Sequence, residues 1–158
     1  MPSAAELRPE HLVLVRRHQR VFYLLLLLAP LEWFVRGRPA TASQLAAAAM
    51  FGLGVWGYRR WGRVLGESLS PLVAPREPAT LIERGPYRII RHPMYLAELA
   101  MAFGAPLTLG ATLTLMVSVV FAVLVIRRIV VEEEALRARL PNYAVYAQRT
   151  YRLVPYVY

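Results

Sequence analysis

The sequence predicts an all-α integral membrane bundle of about four transmembrane helices, built as a single domain over residues 1–158. Two observations lead to this fold class. The chain is 57% hydrophobic, above the roughly 45–50% of soluble globular domains, and its apolar residues form long runs. It also carries a formal net charge of +9, and the basic residues fall between those runs. Long uncharged runs with basic flanks are typical of membrane-spanning helices.

The apolar runs place the helices in order. The first run covers 21–35 and the second covers 45–58, each ending at arginine. The third run, 94–126, contains one charged residue, Glu98. It is too long for a single span, which needs about 20 apolar residues, and Gly104, Pro106 and Gly110 mark a bend within it. The predicted helices cover about 19–36, 43–61, 94–108 and 111–128.

Arginine placement predicts the topology. Seventeen of the nineteen arginines precede the first apolar run, lie between the second and third runs, or follow the third run. Basic residues collect on the cytoplasmic side of a membrane. Segments 1–18, 62–93 and 129–158 are therefore expected to be cytoplasmic, with both termini on that side. The exclusive use of arginine as the basic residue and the abundance of alanine indicate a GC-rich bacterial genome. In a bacterium, a protein with this topology is expected to be a multi-pass protein of the inner (cytoplasmic) membrane.

The residue inventory excludes several kinds of chemistry. The chain has no lysine, aspartate or cysteine, which excludes Schiff-base lysines, thiolate nucleophiles and zinc–thiolate sites. No metal site is expected. Since the basic charge follows the topology, no nucleic-acid partner is expected either. The string Gly52–Gly57 matches the GxGxxG pattern of dinucleotide-binding folds, but it lies inside an alanine-rich apolar run, where small residues more plausibly let helices pack closely.

One polar motif, ERGPYRIIRHPMY, precedes the third helix. It places Tyr87, Arg91, His92 and Tyr95 around a sharp chain break at the predicted cytoplasmic interface. Arginine and tyrosine also anchor ordinary helices at the headgroup level, so a juxtamembrane anchor and a binding site are both open at this point.

A second polar motif, RIVVEEEALRARLPNYAVY, follows the fourth helix. Arg128 and Glu132 lie one helical turn apart, and an ordinary solvated helix would suffice to explain them. The preceding hairpin, however, brings this motif next to the first. Two further acids lie within apolar runs. Glu32 is expected to pair with Arg36, whereas Glu98 is expected either at the floor of a site or paired with Arg91.

Taken together, GPYRIIRHPMY, a membrane hairpin, RIVVEEEAL and YAVYAQRTYRLVP resemble the isoprenylcysteine carboxyl methyltransferase family, over roughly 61–155. These are integral membrane enzymes related to the phospholipid methyltransferases. The resemblance implies S-adenosylmethionine as cofactor, in a cytoplasmic pocket formed by the middle loop and the C-terminal tail. The cofactor-binding residues that it implies are Tyr87, His92, Pro93, Tyr95, Glu132, Glu133, Leu136 and Tyr146.

The resemblance also implies catalytic roles for Arg91, Arg128 and Glu133, with Arg128 and Glu98 on the acceptor side. The expected reaction is methyl transfer to a lipophilic acceptor, foremost an isoprenylcysteine-type carboxylate, with the acceptor and membrane lipid as partners. Alternative acceptors are a phenolic lipid, a pyrone or a phospholipid amine. Two other functional classes stay open: an NADPH-dependent membrane reductase and a non-enzymatic membrane accessory protein. Arginine suits an anionic acceptor, and glutamate suits a sulfonium cation.

Overall fold

The computed structural model describes residues 9–36, 42–66 and 81–158. Within these ranges the chain is all-helical. The helices are α1 (Pro9–Arg36), α2 (Ala42–Leu65), α3 (Pro93–Leu109), α4 (Thr112–Arg139) and the short α5 (Tyr143–Gln148), with a 3₁₀ turn at Gly85–Arg88 before α3. The predicted cytoplasmic residues 1–8 and 67–80 lie outside the described part of the chain.

Two predicted helix boundaries are wrong. α1 begins at Pro9, ten residues before the predicted start at 19. α4 continues to Arg139, about three turns past the predicted end at 128. In both cases charged residues continue the helix beyond its apolar stretch, because arginine and glutamate are good helix formers.

The predicted four spans are not confirmed. Of the helices in the described ranges, α4 alone is long and apolar enough to cross a membrane. α3 has only 17 residues, and α1 carries arginines at 16, 17 and 20. Large apolar side chains are nonetheless exposed along three helices. They include Tyr23, Leu27, Phe34, Leu45, Leu53, Trp56, Met116, Val119 and Val120.

The bundle is organised around α3. This helix packs against α1, α2 and α4, and α1 packs against α4. Glycines allow the close approach of α2 and α3: a Cβ on Gly104 would lie 2.7 Å from the backbone nitrogen of Phe51, and one on Gly54 would lie 2.8 Å from the carbonyl oxygen of Ala97. Gly54 belongs to the GxGxxG string, so the helix-packing interpretation of that glycine is confirmed.

The hairpin between α3 and α4 turns later than Gly104 and Pro106, both of which lie inside α3. Gly110 ends α3 with φ 64°, in the left-handed region that glycine tolerates. Glu32 of α1 then caps α4, because its carboxylate accepts hydrogen bonds from the backbone N–H groups of Leu113 and Thr114 at 3.0 and 2.9 Å. The predicted Glu32–Arg36 pair is confirmed at 3.3 Å.

Candidate functional site

The two polar motifs meet at one end of the bundle. Ile90 and Tyr151 form a parallel bridge, in which the backbone N–H of Arg91 donates to the carbonyl of Tyr151 at 2.7 Å and that of His92 donates to Arg152 at 3.0 Å. The C-terminal tail therefore lies directly against the segment that leads into α3. The sequence predicted this proximity from the hairpin, but the backbone pairing is visible only in the structure.

Glu133 is the centre of this region. Its side chain is 1% exposed and its oxygens face four basic groups. Arg91 Nε donates to Oε1 at 2.8 Å, Arg152 Nε donates to Oε2 at 3.2 Å, and Arg137 Nη2 lies 3.4 Å from Oε2. His92 Nε2 lies 3.4 Å from Oε1. The carboxylate of Glu133 thus joins α4, the start of α3 and the tail.

Glu133 lies about two helical turns beyond Ile126, in the charged continuation of α4. Burial acts to raise the pKa of its carboxyl group, but the contacts with His92, Arg91 and Arg152 outweigh burial and lower the pKa to about 2. Glu133 is therefore ionised at neutral pH and holds its basic neighbours in place.

Arg91 has partners in the tail as well. Its Nη1 donates to the carbonyl oxygen of Ala147 at 2.8 Å and to that of Thr150. The sequence offered Glu98 as a possible partner of Arg91, and that expectation is wrong. Arg91 pairs with Glu133, because it precedes α3 and faces α4 and the tail.

Two buried hydroxyl groups near this centre point to a ligand. Within the described part of the chain, Tyr87 Oη and Tyr143 Oη have no hydrogen-bond partner. A buried polar group without a partner costs free energy, about 1–3 kcal/mol, so such atoms at one site call for an explanation. Tyr143 is not among the residues predicted for the site, since only burial distinguishes it from the other tyrosines of the tail.

The tyrosines remain hydrogen-bond donors at neutral pH. Burial raises the pKa of Tyr87 and of Tyr143 well above the ordinary value, and the charge of Glu132 adds to this effect for both. Burial also raises the pKa of Tyr146 to about 12. Tyr146 Oη donates to the backbone carbonyl of Tyr87 at 2.7 Å, which fixes the 3₁₀ turn against α5.

Glu132 and Tyr95 form the other side of the site. Tyr95 Oη donates to Glu132 Oε2 at 2.5 Å, and the His92 ring stacks on the Tyr95 ring with centroids 5.5 Å apart. Pro93 is buried in the first turn of α3. Proline fits there because the N–H groups of the first turn have no hydrogen-bond partner within the helix, so the missing N–H costs nothing. Leu136 packs beneath Tyr143 and Tyr146.

The structure therefore brings together every residue predicted for the cofactor pocket: Tyr87, His92, Pro93, Tyr95, Glu132, Glu133, Leu136 and Tyr146. The two acceptor-side residues, Glu98 and Arg128, lie deeper in the bundle. Arg128 Cζ lies 5.4 Å from the Tyr95 ring centroid. Glu98 Oε2 lies 3.1 Å from Nε2 of His18, a residue of α1 that the sequence did not single out because a lone histidine in a helix carries no motif.

This site fits S-adenosylmethionine in chemical terms. The cofactor has a sulfonium cation, which an anion stabilises, and hydroxyl groups, which donate to acceptors. Its carboxylate accepts hydrogen bonds from donors. Glu132 supplies a half-buried carboxylate, while the hydroxyl groups of Tyr87 and Tyr143 supply unsatisfied donors.

Two matches to known proteins identify the family of this chain. The model of the family described as "Phospholipid methyltransferase" matches residues 42–142. The cobalt-zinc-cadmium resistance protein CzcN of Cupriavidus metallidurans is 31% identical over 84 residues, a match that covers 52% of this chain and 39% of that protein. The match thus spans about two fifths of the length of this relative. The family match covers more than half of the chain and includes Glu132 and Glu133 of α4 and the His-Pro start of α3. The chain belongs to the phospholipid methyltransferase family, a family of membrane methyltransferases related to the isoprenylcysteine carboxyl methyltransferases.

Proposed function

We propose that this protein transfers a methyl group from S-adenosylmethionine to a lipophilic acceptor held within the membrane. The observation that carries the proposal is the pair of unpartnered buried hydroxyl groups, Tyr87 Oη and Tyr143 Oη, at the site that contains Glu132. These are the groups that a polar cofactor needs, and they lie on the segments matched by the family or next to them.

The proposal gives each residue a task. Tyr87, His92 and Tyr143 bind the polar ends of the cofactor, and the carboxylate of Glu132 faces its sulfonium or ammonium group. Glu133 and Arg91 are positioning residues, because their charges are taken up by each other and by the tail. The bound cofactor supplies an electrophilic methyl group. Catalysis then consists largely of positioning, for which well-oriented reactions gain up to about 7–11 kcal/mol.

The acceptor is proposed to reach the site from the bilayer. Exposed apolar side chains on α1, α2 and α4 support a bundle surrounded by lipid, and the arginine distribution supports a multi-pass topology with both termini in the cytoplasm. In this arrangement the polar site faces the cytoplasm, from which the cofactor arrives. The lipophilic acceptor enters between helices.

Arg128 is the residue proposed to hold the reacting end of the acceptor. Its guanidinium is buried beside the Tyr95 ring, and arginine binds carboxylates with paired N–H donors. An isoprenylcysteine-type carboxylate is one acceptor that suits it. A lipophilic hydroxyl compound is the second candidate, favoured by the buried imidazole of His18 next to Arg128.

Calorimetry on the detergent-solubilised protein tests the cofactor assignment. S-adenosylhomocysteine should bind and NADPH should not. The Glu132→Gln variant should lose most of this affinity, while Glu134→Gln, which changes the exposed neighbouring residue, should retain it. Binding of NADPH alone would favour a reductase, and binding of neither ligand would favour a non-enzymatic membrane protein. Either result would contradict the proposal.

Transfer of labelled methyl from S-adenosylmethionine into a membrane lipid extract tests the acceptor assignment. The labelled product should partition into the organic phase. Its lability to mild base distinguishes a methyl ester, formed from a carboxylate, from an ether formed from a hydroxyl group. Label confined to the aqueous phase would contradict a lipophilic acceptor.

A further inference from the structure

His18 lies at the centre of a buried polar cluster that the cofactor site does not use. It belongs to α1, before the start of the family match at residue 42, and it is 2% exposed. One side of its ring faces Glu98 of α3 and the other faces Arg128 of α4. The rings of Phe121 and Tyr95 enclose it at centroid distances of 4.9 and 5.9 Å.

The contacts of His18 define the state of its ring. Nδ1 lies 2.8 Å from Nη1 of Arg128. An arginine is a donor only, so Nδ1 carries the lone pair and accepts this hydrogen bond. The ring hydrogen is therefore on Nε2, 3.1 Å from Oε2 of Glu98, although these two atoms do not form a hydrogen bond in this structure. A carboxylate close to the N–H side of a neutral imidazole favours the imidazolium that forms when such a ring acts as a general base.

This cluster adjoins the cofactor site. Tyr95 connects the two, because its hydroxyl group donates to Glu132 and its ring contacts both Arg128 and His92. Glu98 is six residues after His92 in the sequence, a rise of roughly 9 Å along a helix. An acceptor group at His18 and Arg128 would thus lie one layer below the cofactor, on the side of the bundle interior.

We propose that His18 is the general base of the methyl transfer and that the acceptor is a lipophile with a weakly acidic hydroxyl group, a phenol or an enol. This inference rests on the proposed methyltransferase function. When the acceptor binds, the hydrogen bond between Arg128 and His18 opens, and the acceptor oxygen becomes the partner of both side chains. It receives the N–H of Arg128 and gives its proton to Nδ1 of His18, while Glu98 stabilises the imidazolium that forms.

In this step the acceptor loses a proton and gains the methyl group. The O–H bond breaks and its proton moves to His18, and an electron pair of the oxygen forms the new bond to the methyl carbon. The carbon–sulfur bond breaks and its electron pair stays on sulfur, which becomes a neutral thioether. His18 then returns its proton to water. A carboxylate acceptor is already ionised at neutral pH and needs no base, so only a hydroxyl acceptor uses the paired His18 and Glu98.

His18→Asn is the variant that tests the base. Asparagine keeps an oxygen near the position of Nδ1, so Arg128 retains an acceptor, but its amide cannot take a proton. His11→Asn, about two turns earlier on α1, is the matched control. The probes are a long-chain alkylphenol and N-acetyl-S-farnesylcysteine, each assayed with S-adenosylmethionine in detergent micelles between pH 6 and pH 10.5.

The wild-type protein and His11→Asn should methylate the alkylphenol. In His18→Asn its rate at neutral pH should fall by about 100-fold or more, the usual contribution of general base catalysis. The rate should recover toward pH 10, where a phenol ionises without help. Transfer to N-acetyl-S-farnesylcysteine, if present in the wild type, should change by less than about threefold. S-adenosylhomocysteine affinity should be unchanged in both variants.

A spectroscopic measurement without cofactor gives an independent readout. A long-chain alkyl nitrophenol bound to the wild type should show phenolate absorbance below the pH at which it ionises in micelles, since His18 takes the proton. In His18→Asn the phenolate should appear only at higher pH. The groups that face His18 are Glu98 and Tyr95 from α3 and Arg128 from α4, so Glu98→Gln should shift this transition in the same direction.

Several outcomes would overturn the role of His18. One is a wild type that binds S-adenosylhomocysteine but methylates only the carboxylate or neither probe. Others are equal losses for both probes in His18→Asn, and a phenol rate in His18→Asn that matches the wild type. Failure of S-adenosylhomocysteine to bind the wild type would instead contradict the proposed cofactor, so the two proposals fail in distinguishable ways.

Discussion

Arg91 and Glu133 form a hydrogen-bonded ion pair at 2.8 Å that joins the start of α3 to the charged end of α4. Both side chains are buried, at 8% and 1% exposure. The same arginine holds the backbone of the tail through Ala147. One pair therefore connects three segments that are distant in the sequence, and the walls of the candidate cofactor site depend on it.

Replacing Glu133 by glutamine should weaken the packing of the C-terminal tail against α3 and α4. Removal of one partner from a buried ion pair costs about 3–5 kcal/mol, because Arg91 and Arg152 lose their counter-ion. Thermal unfolding in detergent should show a large loss of stability, and S-adenosylhomocysteine affinity should fall at least tenfold. Glu134→Gln, at an exposed position, is the control. Equal behaviour of the two variants would contradict a central role for Glu133.

The tail should become less stable at acidic pH, because Glu133 becomes protonated there. Its contacts with His92, Arg91 and Arg152 lower its pKa from the ordinary glutamate value to about 2 in the folded protein. A lowered carboxyl pKa contributes stability that is complete above the unfolded value and lost as the pH falls through the folded value. Protection of the tail amides against hydrogen exchange should therefore decrease from pH 4.5 toward pH 2. A wild-type profile as flat as that of Glu133→Gln would argue against the lowered pKa.

Tyr146→Phe should loosen the 3₁₀ turn at Tyr87. The lost hydroxyl group leaves the Tyr87 carbonyl without its hydrogen bond of 2.7 Å, which should reduce the free energy of unfolding by about 1–3 kcal/mol. Chemical denaturation in mixed micelles measures this change. Tyr151→Phe, on a half-buried tyrosine of the same tail, should have a smaller effect. A larger loss for Tyr151→Phe would contradict the expectation.

Gly104→Ala should disturb the α2–α3 interface. The added Cβ would lie 2.7 Å from the backbone of Phe51, which cannot move aside as a flexible side chain would. Overpacking of this kind costs about 1–3 kcal/mol. At Gly52 nothing lies within 4 Å of an added Cβ, so Gly52→Ala should leave the melting temperature unchanged or raise it. A melting temperature of Gly104→Ala equal to that of the wild type would refute the close contact.

The helices and the meeting of the two polar motifs could be predicted from the sequence. Long apolar runs, the bend between α3 and α4 and the flanking arginines are local signals, since helix formation and membrane affinity depend on neighbouring residues. The same signals misjudged the ends of α1 and α4. Hydropathy falls where charged residues begin, but helical hydrogen bonding continues through them.

The sequence by itself determined which side chains are available: glutamate as the only carboxylate side chain, arginine as the only permanent side-chain cation, and a His-Pro start of α3 next to a cluster of glutamates. Tertiary structure alone decided which of them meet. Glu133 pairs with Arg91, and Glu98 lies next to His18. The packing of α1 also places His18 against Arg128. These contacts join helices far apart in the chain, and the low dielectric between those helices makes each buried charge depend on the partner that packing provides.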